Sequence, residues 1–416
     1  MSTSNKSPHL HLAVALDGTG FHPASWRDPS ARPTELFTAK YWTSLALTAE
    51  RGLVDFITIE DSLGLQSSKF SGPDGRNDQV RGRLDAVLIA SLIGPVTHHI
   101  GLVPTAVPTH TEPFHLASAF STLDYVSRGR AGWRPQVSGR QSEAAHVGFH
   151  TFAPFDPTAT DDPDVDRRVR ELFDEANDAV EVVRRLWDSW EDDAIIKDKP
   201  SGRYIDRDKL HYVDFEGQFF SVKGPSIVPR PPQGQPVVAA LAHSRIPFEF
   251  AATSADVVFI TPLDTVGVDR WIDDVRTAER TVGRTRAPLK LFADLVVFLD
   301  DDRAAAERRK AHLDELDGHA FRSDAAIFVG TPSELVDQLL EWQAHGLDGF
   351  RLRPGVIGHD LDAIVDRVVP ELQRRNAFRS EYEDGLFRER LGLGRPISRY
   401  ATAAIQEPVQ EREVEV

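Results

Sequence analysis

The sequence predicts an α/β fold, a closed (β/α)8 TIM barrel carrying insertion segments. Two observations carry this expectation. Eight short apolar or β-branched runs alternate with longer segments of helical period, and no reversal signal splits them into the halves of an open doubly wound sheet. In chain order the strand candidates are Leu10–Leu16, Val54–Ile59, Ile100–Val107, Arg130–Val137, Val237–Ala242, Asp256–Thr261, Leu289–Phe298 and Gly349–Arg353. A missed or extra strand would change the count.

The intervening helices each have one face to bury. Leu116, Phe120 and Leu123 form one such stripe, and Leu172, Phe173, Ala176, Val180, Val183 and Trp187 form another. A later helix is punctuated at both ends: Thr331 as N-cap, Pro332 in the first turn, Glu334 completing a capping box, then Leu335, Leu339 and Leu340 before Gly346. Three stretches rich in Gly, Pro and charge break the repeat, at 62–83, 146–168 and 201–235, and read as insertions. The last contains Phe219, Phe220, Val222 and Val228 around Gly217 and Gly224, which suits a small hairpin over the barrel rim. Residues 1–405 thus read as one barrel domain, and 406–416 as a disordered tail.

Composition narrows the function classes. The chain of 416 residues is 41% hydrophobic with 23 Phe and 7 Trp, enough for a large core. It has no Cys, so disulfides, thiolate metal sites and cysteine nucleophiles are excluded. A net charge of −16 opposes nucleic-acid or anionic-membrane binding. The first nine residues are polar, and the longest apolar stretch, Ala86–Val96, is broken by Ser91, Gly94 and Pro95, so a cytoplasmic protein is expected.

Several segments carry a family resemblance: IGLVPT at Ile100–Thr105, EPFHLASAFSTLDYVSRGRAGW at Glu112–Trp133, VEVVRRLWDSWEDDA at Val180–Ala194, FSVKGPSIVPRPPQGQPV at Phe220–Val237, and the Phe387–Ala401 stretch with its RPISRYA. Across nearly its whole length the chain resembles the nitrilotriacetate and alkanesulfonate monooxygenase branch of the luciferase-like flavin-dependent monooxygenases. That resemblance implies a TIM barrel, reduced FMN taken from a separate flavin reductase, oxygenation of a small substrate by O2, and a homo-oligomer. Flavin carries the redox chemistry, so the protein must supply a dry pocket, ring contacts and a phosphate anchor. No GxGxxG follows a strand and no Walker lysine motif occurs, which fits a cofactor that arrives from a partner.

In such a barrel the working residues lie at the C-terminal ends of the strands, which selects Asp17, Asp61, Thr105, Thr109, Arg134, His243, Ser244 and Arg353. The resemblance places an acidic residue near the flavin ring at Asp61, with Glu60 able to take the same part. A helix or loop cap is the competing reading of Asp61. It places Thr105 and Thr109 along the ring, although Val107 and Pro108 stand where hydroxyls are usual. His243 and Ser244 fall at a phosphate-receiving loop, with Ala242 in place of the usual glycine. Leu172 and Phe173 replace an Arg-Tyr pair that reaches the cofactor in relatives. Arg134, where relatives carry Asn, and Arg140 offer compensating charge.

His110 and His115 flank Glu112 and are the expected catalytic pair, one of them serving as proton donor; a hydrogen-bonded helix-start histidine is the alternative for each. No metal is expected there, because no second ligand cluster has a plausible spacing. The acidic run Asp161–Asp166 lacks the spacing of a calcium loop and reads as a solvated insertion. The competing functions are an F420-dependent oxidoreductase on the same barrel and a flavin-binding barrel without catalysis. The substrate itself is not written in the sequence.

Overall fold

The computed structural model describes residues 9–67, 69, 72–148, 150–152 and 162–401. Its central sheet contains β1 (His11–Leu16), β2 (Phe56–Ile59), β3 (Gly101–Ala106), β4 (Gly132–Pro135), β5 (Val237–Leu241), β6 (Val257–Ile260), β7 (Lys290–Leu299), β8 (Ala326–Gly330) and β9 (Gly349–Pro354). Eight of these close a parallel ring in the order β1-β2-β3-β4-β5-β6-β7-β9, with β9 returning to β1 through the pairs His11 to Gly349 and Val14 to Leu352. Every strand expected from the sequence is in the ring.

β8 is the addition, and the length of β7 explains it. Lys290 to Ala293 of β7 pair with β6, but the strand continues past the end of β6, and Leu295 to Leu299 take β8 on that freed edge. β9 occupies the other edge, from Phe292 to Val297. β8 therefore lies outside the ring.

Period-2 alternation sorts the strand residues into an outer face against the helices and an inner face in the lumen. The lumen floor is aromatic: Phe56 lies 5.5 Å from Phe292 and 5.4 Å from Phe387, ring centroid to centroid. Phe387 comes from a short helix near the C-terminus, Phe387–Arg390, and plugs the bottom of the barrel. Gly101 is required opposite it, since a Cβ there would stand 2.7 Å from the Phe387 ring. Further along each strand the inner positions turn polar, through Thr58 and Glu60, Thr105, Arg134, Asp294, Arg351 and Arg353.

Around the ring run α1 (Ala39–Arg51), α2 (Ala86–Ile93), α3 (Pro113–Val126), α4 (Gln141–Val147), α5 (Pro163–Asp188), α6 (Arg245–Ser254), α7 (Thr265–Thr281), α8 (Arg303–Asp317) and α9 (Pro332–Ala344). α3 buries Leu116, Phe120 and Leu123, and α9 carries the capping box read from Thr331 and Glu334. No helix among the described residues is long and apolar enough to cross a membrane.

The insertions correct the sequence reading in two places. α5 begins at Pro163, two turns before Glu171, with Asp162 accepting from the Asp164 amide as N-cap. The part of the acidic run from Asp162 onward is thus a helix start, where carboxylates meet the positive end of the dipole; Asp161 lies outside the described residues. The expected hairpin forms, pairing Phe215–Glu216 with Ser221–Val222, but along the flank of α5 and not over the rim. Arg185 of α5 lies 5.3 Å from the Phe215 ring centroid, and Asp178 is within 3 Å of where a Gly217 Cβ would stand. The tail expected at 406–416 lies outside the described residues.

Candidate active site

The polar inner positions meet at the C-terminal end of the lumen and form one network. Asp294 of β7, fully buried, accepts from Arg351 Nε at 2.8 Å and from Arg353, both on β9. Arg351 reaches on to Thr58 Oγ1 and Glu60 Oε1, each at 3.3 Å. Glu60 also pairs with Arg134 of β4, whose Nε donates to Thr105 Oγ1 at 2.9 Å. Arg353 extends the chain outward to the half-exposed Asp324, at 2.7 Å. Arg351 stands 4.1 Å above the Phe259 ring, so the network rests on the aromatic floor.

Cations outnumber anions in the buried part. Arg134, Arg351 and Arg353 face only Glu60 and Asp294 there, and the balance is restored at the surface by Asp324. Burial pushes the Glu60 carboxyl up, but Arg134, Arg351 and Arg353 outweigh it and hold Glu60 below the usual carboxylate range. The same crowding works against Arg134: burial lowers its pKa, Glu60 offsets this in part, and the two neighbouring guanidiniums lower it further. Burial likewise raises the Asp324 carboxyl, but Arg353, helped by His243, brings it down to about 2. The Arg353 Nε is buried with no partner. A mouth built this way favours an anion that can share the surplus positive charge.

The structure brings Thr105, Arg134 and Arg353 into this network, with Glu60 in place of Asp61, and leaves Asp61, Thr109, His243, Ser244 and the Arg83-paired Asp17 outside its hydrogen bonds. Asp61 is a brace: its oxygens accept from the Ser62 amide at 2.7 Å and the Ala86 amide at 2.8 Å, fixing the insertion and the start of α2. Glu60, one residue earlier, turns into the lumen instead. Thr109 accepts from the Ser138 amide at 3.1 Å and ties the loop after β3 to the loop after β4. His243 and Ser244 are exposed at the N-terminus of α6, beside a cleft of about 640 Å³ also lined by Arg245, Phe248, Arg270 and Trp271. Ser244 is the N-cap and makes no side-chain cap bond. Pro247 removes one of the amides that this helix end would otherwise offer.

The expected histidine pair is divided. His110 is 4% exposed, and neither ring nitrogen has a hydrogen-bond partner. His115 lies in the first turn of α3, exposed, with no contact to the network among the described residues. Burial, aided by His150, lowers the His110 pKa to about 4. The unfolded chain therefore holds a proton on His110 between about pH 6.5 and 4 that the native protein does not, so this residue costs stability as pH falls through that window. His110→Phe is expected to lose about 2 kcal/mol less stability than the parent between pH 7 and pH 4.5, read from thermal melts at the two pH values.

Asp294, Arg351 and Asp324 were not among the sequence candidates. For the first two a signal was present: charged residues at period 2 inside the apolar strands LFADLVV and GFRLRP, where only a lumen-facing position can accommodate them. Asp324 lies in a loop before β8, and nothing local marks it.

A closed (β/α)8 ring whose charged inner residues converge on the C-terminal mouth defines a TIM-barrel enzyme. The chain belongs to the luciferase-like monooxygenase family, whose model matches residues 19–322. It is 30% identical to the N-acetyl-S-(2-succino)cysteine monooxygenase of Bacillus subtilis (strain 168), over 96% of this chain and 100% of that protein. It is 29% identical to component A of the nitrilotriacetate monooxygenase of Aminobacter aminovorans, over 93% and 97% of the two chains. Among solved structures, DmoA from Hyphomicrobium sulfonivorans superposes with a TM-score of 0.80 at 25% identity, covering 98% of this chain and 99% of that one. The chain is accordingly an oxidoreductase of the flavin-dependent monooxygenase class.

Proposed function

We propose that the protein takes reduced FMN from a separate flavin reductase and, with O2, oxygenates a small organic substrate at the mouth of the barrel. The observation that carries this reading is the surplus of buried guanidinium at the mouth, together with the unpartnered Arg353 Nε. Reduced FMN is an anion at neutral pH and fits that donor set. When bound, it supplies the two electrons that reduce O2. Arg134 and Arg353 are the residues that would hold its negative charge, with Glu60 holding Arg134 in place and Thr105 accepting from Arg134 Nε.

The phosphate is assigned to Ser244 and the free amides of Arg245 and Ile246, with His243 alongside. Thr109 and Asp61 act through the loops they fix. His110, buried in the loop that follows β3, is assigned the proton-donor part, and His115 is too exposed on α3 to share it. Anaerobic titration with reduced FMN, with reduced F420 in parallel, tests the cofactor. Saturable binding of reduced FMN with oxygen uptake on aeration is expected; binding of F420 alone would overturn the reading.

A homo-oligomer is supported by an apolar face on α2. Leu88 is 70% exposed and Leu92, one turn on, 39%, with Leu47 of the neighbouring α1 at 44%. Leu88→Glu is expected to yield a monomer by light scattering with an unchanged circular dichroism spectrum. An unchanged mass would place the interface elsewhere.

A further inference from the structure

Most buried polar side chains of this protein are satisfied, and His110 departs furthest from that rule. Both ring nitrogens are buried without a partner, where each unmade bond costs about 1–3 kcal/mol. Its ring neighbours, His150 and Phe152, lead outward. The His110 ring centroid lies 5.7 Å from that of His150 and 6.0 Å from Phe152. His150 is stacked on Phe152 at 5.5 Å and 10°, which fixes its plane, and its Nε2 is 3.3 Å from Glu175 Oε1 on α5. Exposure rises along this line, from 4% for His110 to 29% for the His150 side chain. It ends at a cleft of about 440 Å³ lined by His150, Phe152, Arg168, Glu175 and Phe219.

We propose that His110, His150 and Glu175 form a proton relay from this cleft to the mouth of the barrel, an assignment that rests on the monooxygenase reading above. The balance requires such a path. Inserting one oxygen atom of O2 into a substrate and releasing the other as water consumes two electrons and two protons. A monoanionic reduced flavin brings both electrons and one proton, so one proton must come from solvent. His110 gives the N–H proton of one ring nitrogen to the oxygen that leaves as water. Its other nitrogen is reprotonated from His150 through a bridging water, since the two rings lie 5.7 Å apart and share no direct hydrogen bond, so one N–H bond breaks as one forms, and the imidazole changes tautomer without carrying a lasting charge. His150 is reprotonated from water in the cleft, with Glu175 beside it to stabilise the cation.

The surroundings suit this division. His110 stays neutral at working pH chiefly through burial, with His150 lowering its pKa further. Burial raises the Glu175 carboxyl above the usual carboxylate range, with His150 opposing and Asp178 adding to the rise. Arg167, Arg168 and Glu171 line the same cleft from α5, with Arg167 paired to Asp164 and Glu171.

The test has two arms. In the unliganded protein, 15N spectra of the imidazoles are expected to show His110 neutral down to about pH 5, with its ring signals moved by His150→Ala. Independent titration of His110 near its ordinary value, or signals unmoved by His150→Ala, would overturn the relay. In stopped-flow mixing of reduced FMN and protein with oxygen, return of the oxidised flavin spectrum is expected to slow on the order of a hundredfold in His150→Ala. Added imidazole should restore it, and Glu175→Gln, which leaves the shape of the site intact, should slow it less and shift its pH profile. Unchanged rates in both variants, with reduced FMN still bound in the anaerobic titration, would reject the relay alone. Failure of the parent protein to bind reduced FMN would instead reject the functional reading.

Discussion

Asp294→Ala is expected to lower the stability of the protein by about 3–5 kcal/mol, the largest loss foreseen for any single side chain. Asp294 sits fully buried between two guanidiniums, accepting from Arg351 and from Arg353. Without it Arg351 keeps Glu60 as its one carboxylate, at 3.3 Å, and Arg353 keeps Asp324 at the surface. Two cations would then share a low-dielectric lumen with too little opposing charge, which costs far more than the ion pairs contribute when intact. Asp294→Asn is expected to do little better, because its amide presents donors to donors on one side. The diagnostic variant is Asp294→Ala combined with Arg353→Met, which removes a cation along with the anion and should recover part of the loss. Thermal melts of the three variants decide it. A single variant melting within a degree or two of the parent would show that the lumen admits water freely and that the network is not closed.

The barrel was legible because its strands are short, β-branched and bounded by loops, so that period and punctuation agree. β8 was not, since AIFVG sits between a loop and a helix and owes its pairing to the extra length of β7, a fact of register that no local pattern encodes. The active-site reading divided along the same line. Position at a strand end selected Thr105, Arg134 and Arg353, all of which lie in the lumen network, because strand ends converge there in any closed barrel. It could not distinguish Glu60 from Asp61. Adjacent strand residues point to opposite faces, so a one-residue difference sends one carboxylate into the lumen and the other to the Ala86 amide. Asp324 and the His150–Glu175 pair depend on long-range packing of loops and helix α5, and sequence spacing carries no trace of it.

Arg134→Met and Glu60→Gln are expected to move flavin binding in opposite directions, and that opposition is the second large effect. Oxidised and reduced FMN carry the same phosphate and differ chiefly by the negative charge on the reduced ring, so the ratio of their affinities isolates the mouth from the phosphate site. Removing the Arg134 guanidinium takes a cation from the lumen and leaves Thr105 Oγ1 without its donor. Reduced FMN should then weaken relative to oxidised FMN by about tenfold or more, as expected for a unit charge several ångströms away at an effective dielectric near 20. Glu60→Gln deletes an anion that Arg134 and Arg351 hold ionised, so the same ratio should rise in favour of the reduced form. Loss of the carboxylate also loosens Arg134, which limits the gain and makes it the smaller of the two shifts. Parallel anaerobic and aerobic titrations of both variants measure the ratio directly. If both substitutions shift it the same way, the mouth acts through shape and not through charge, and the surplus of guanidinium would have to serve the substrate in place of the cofactor.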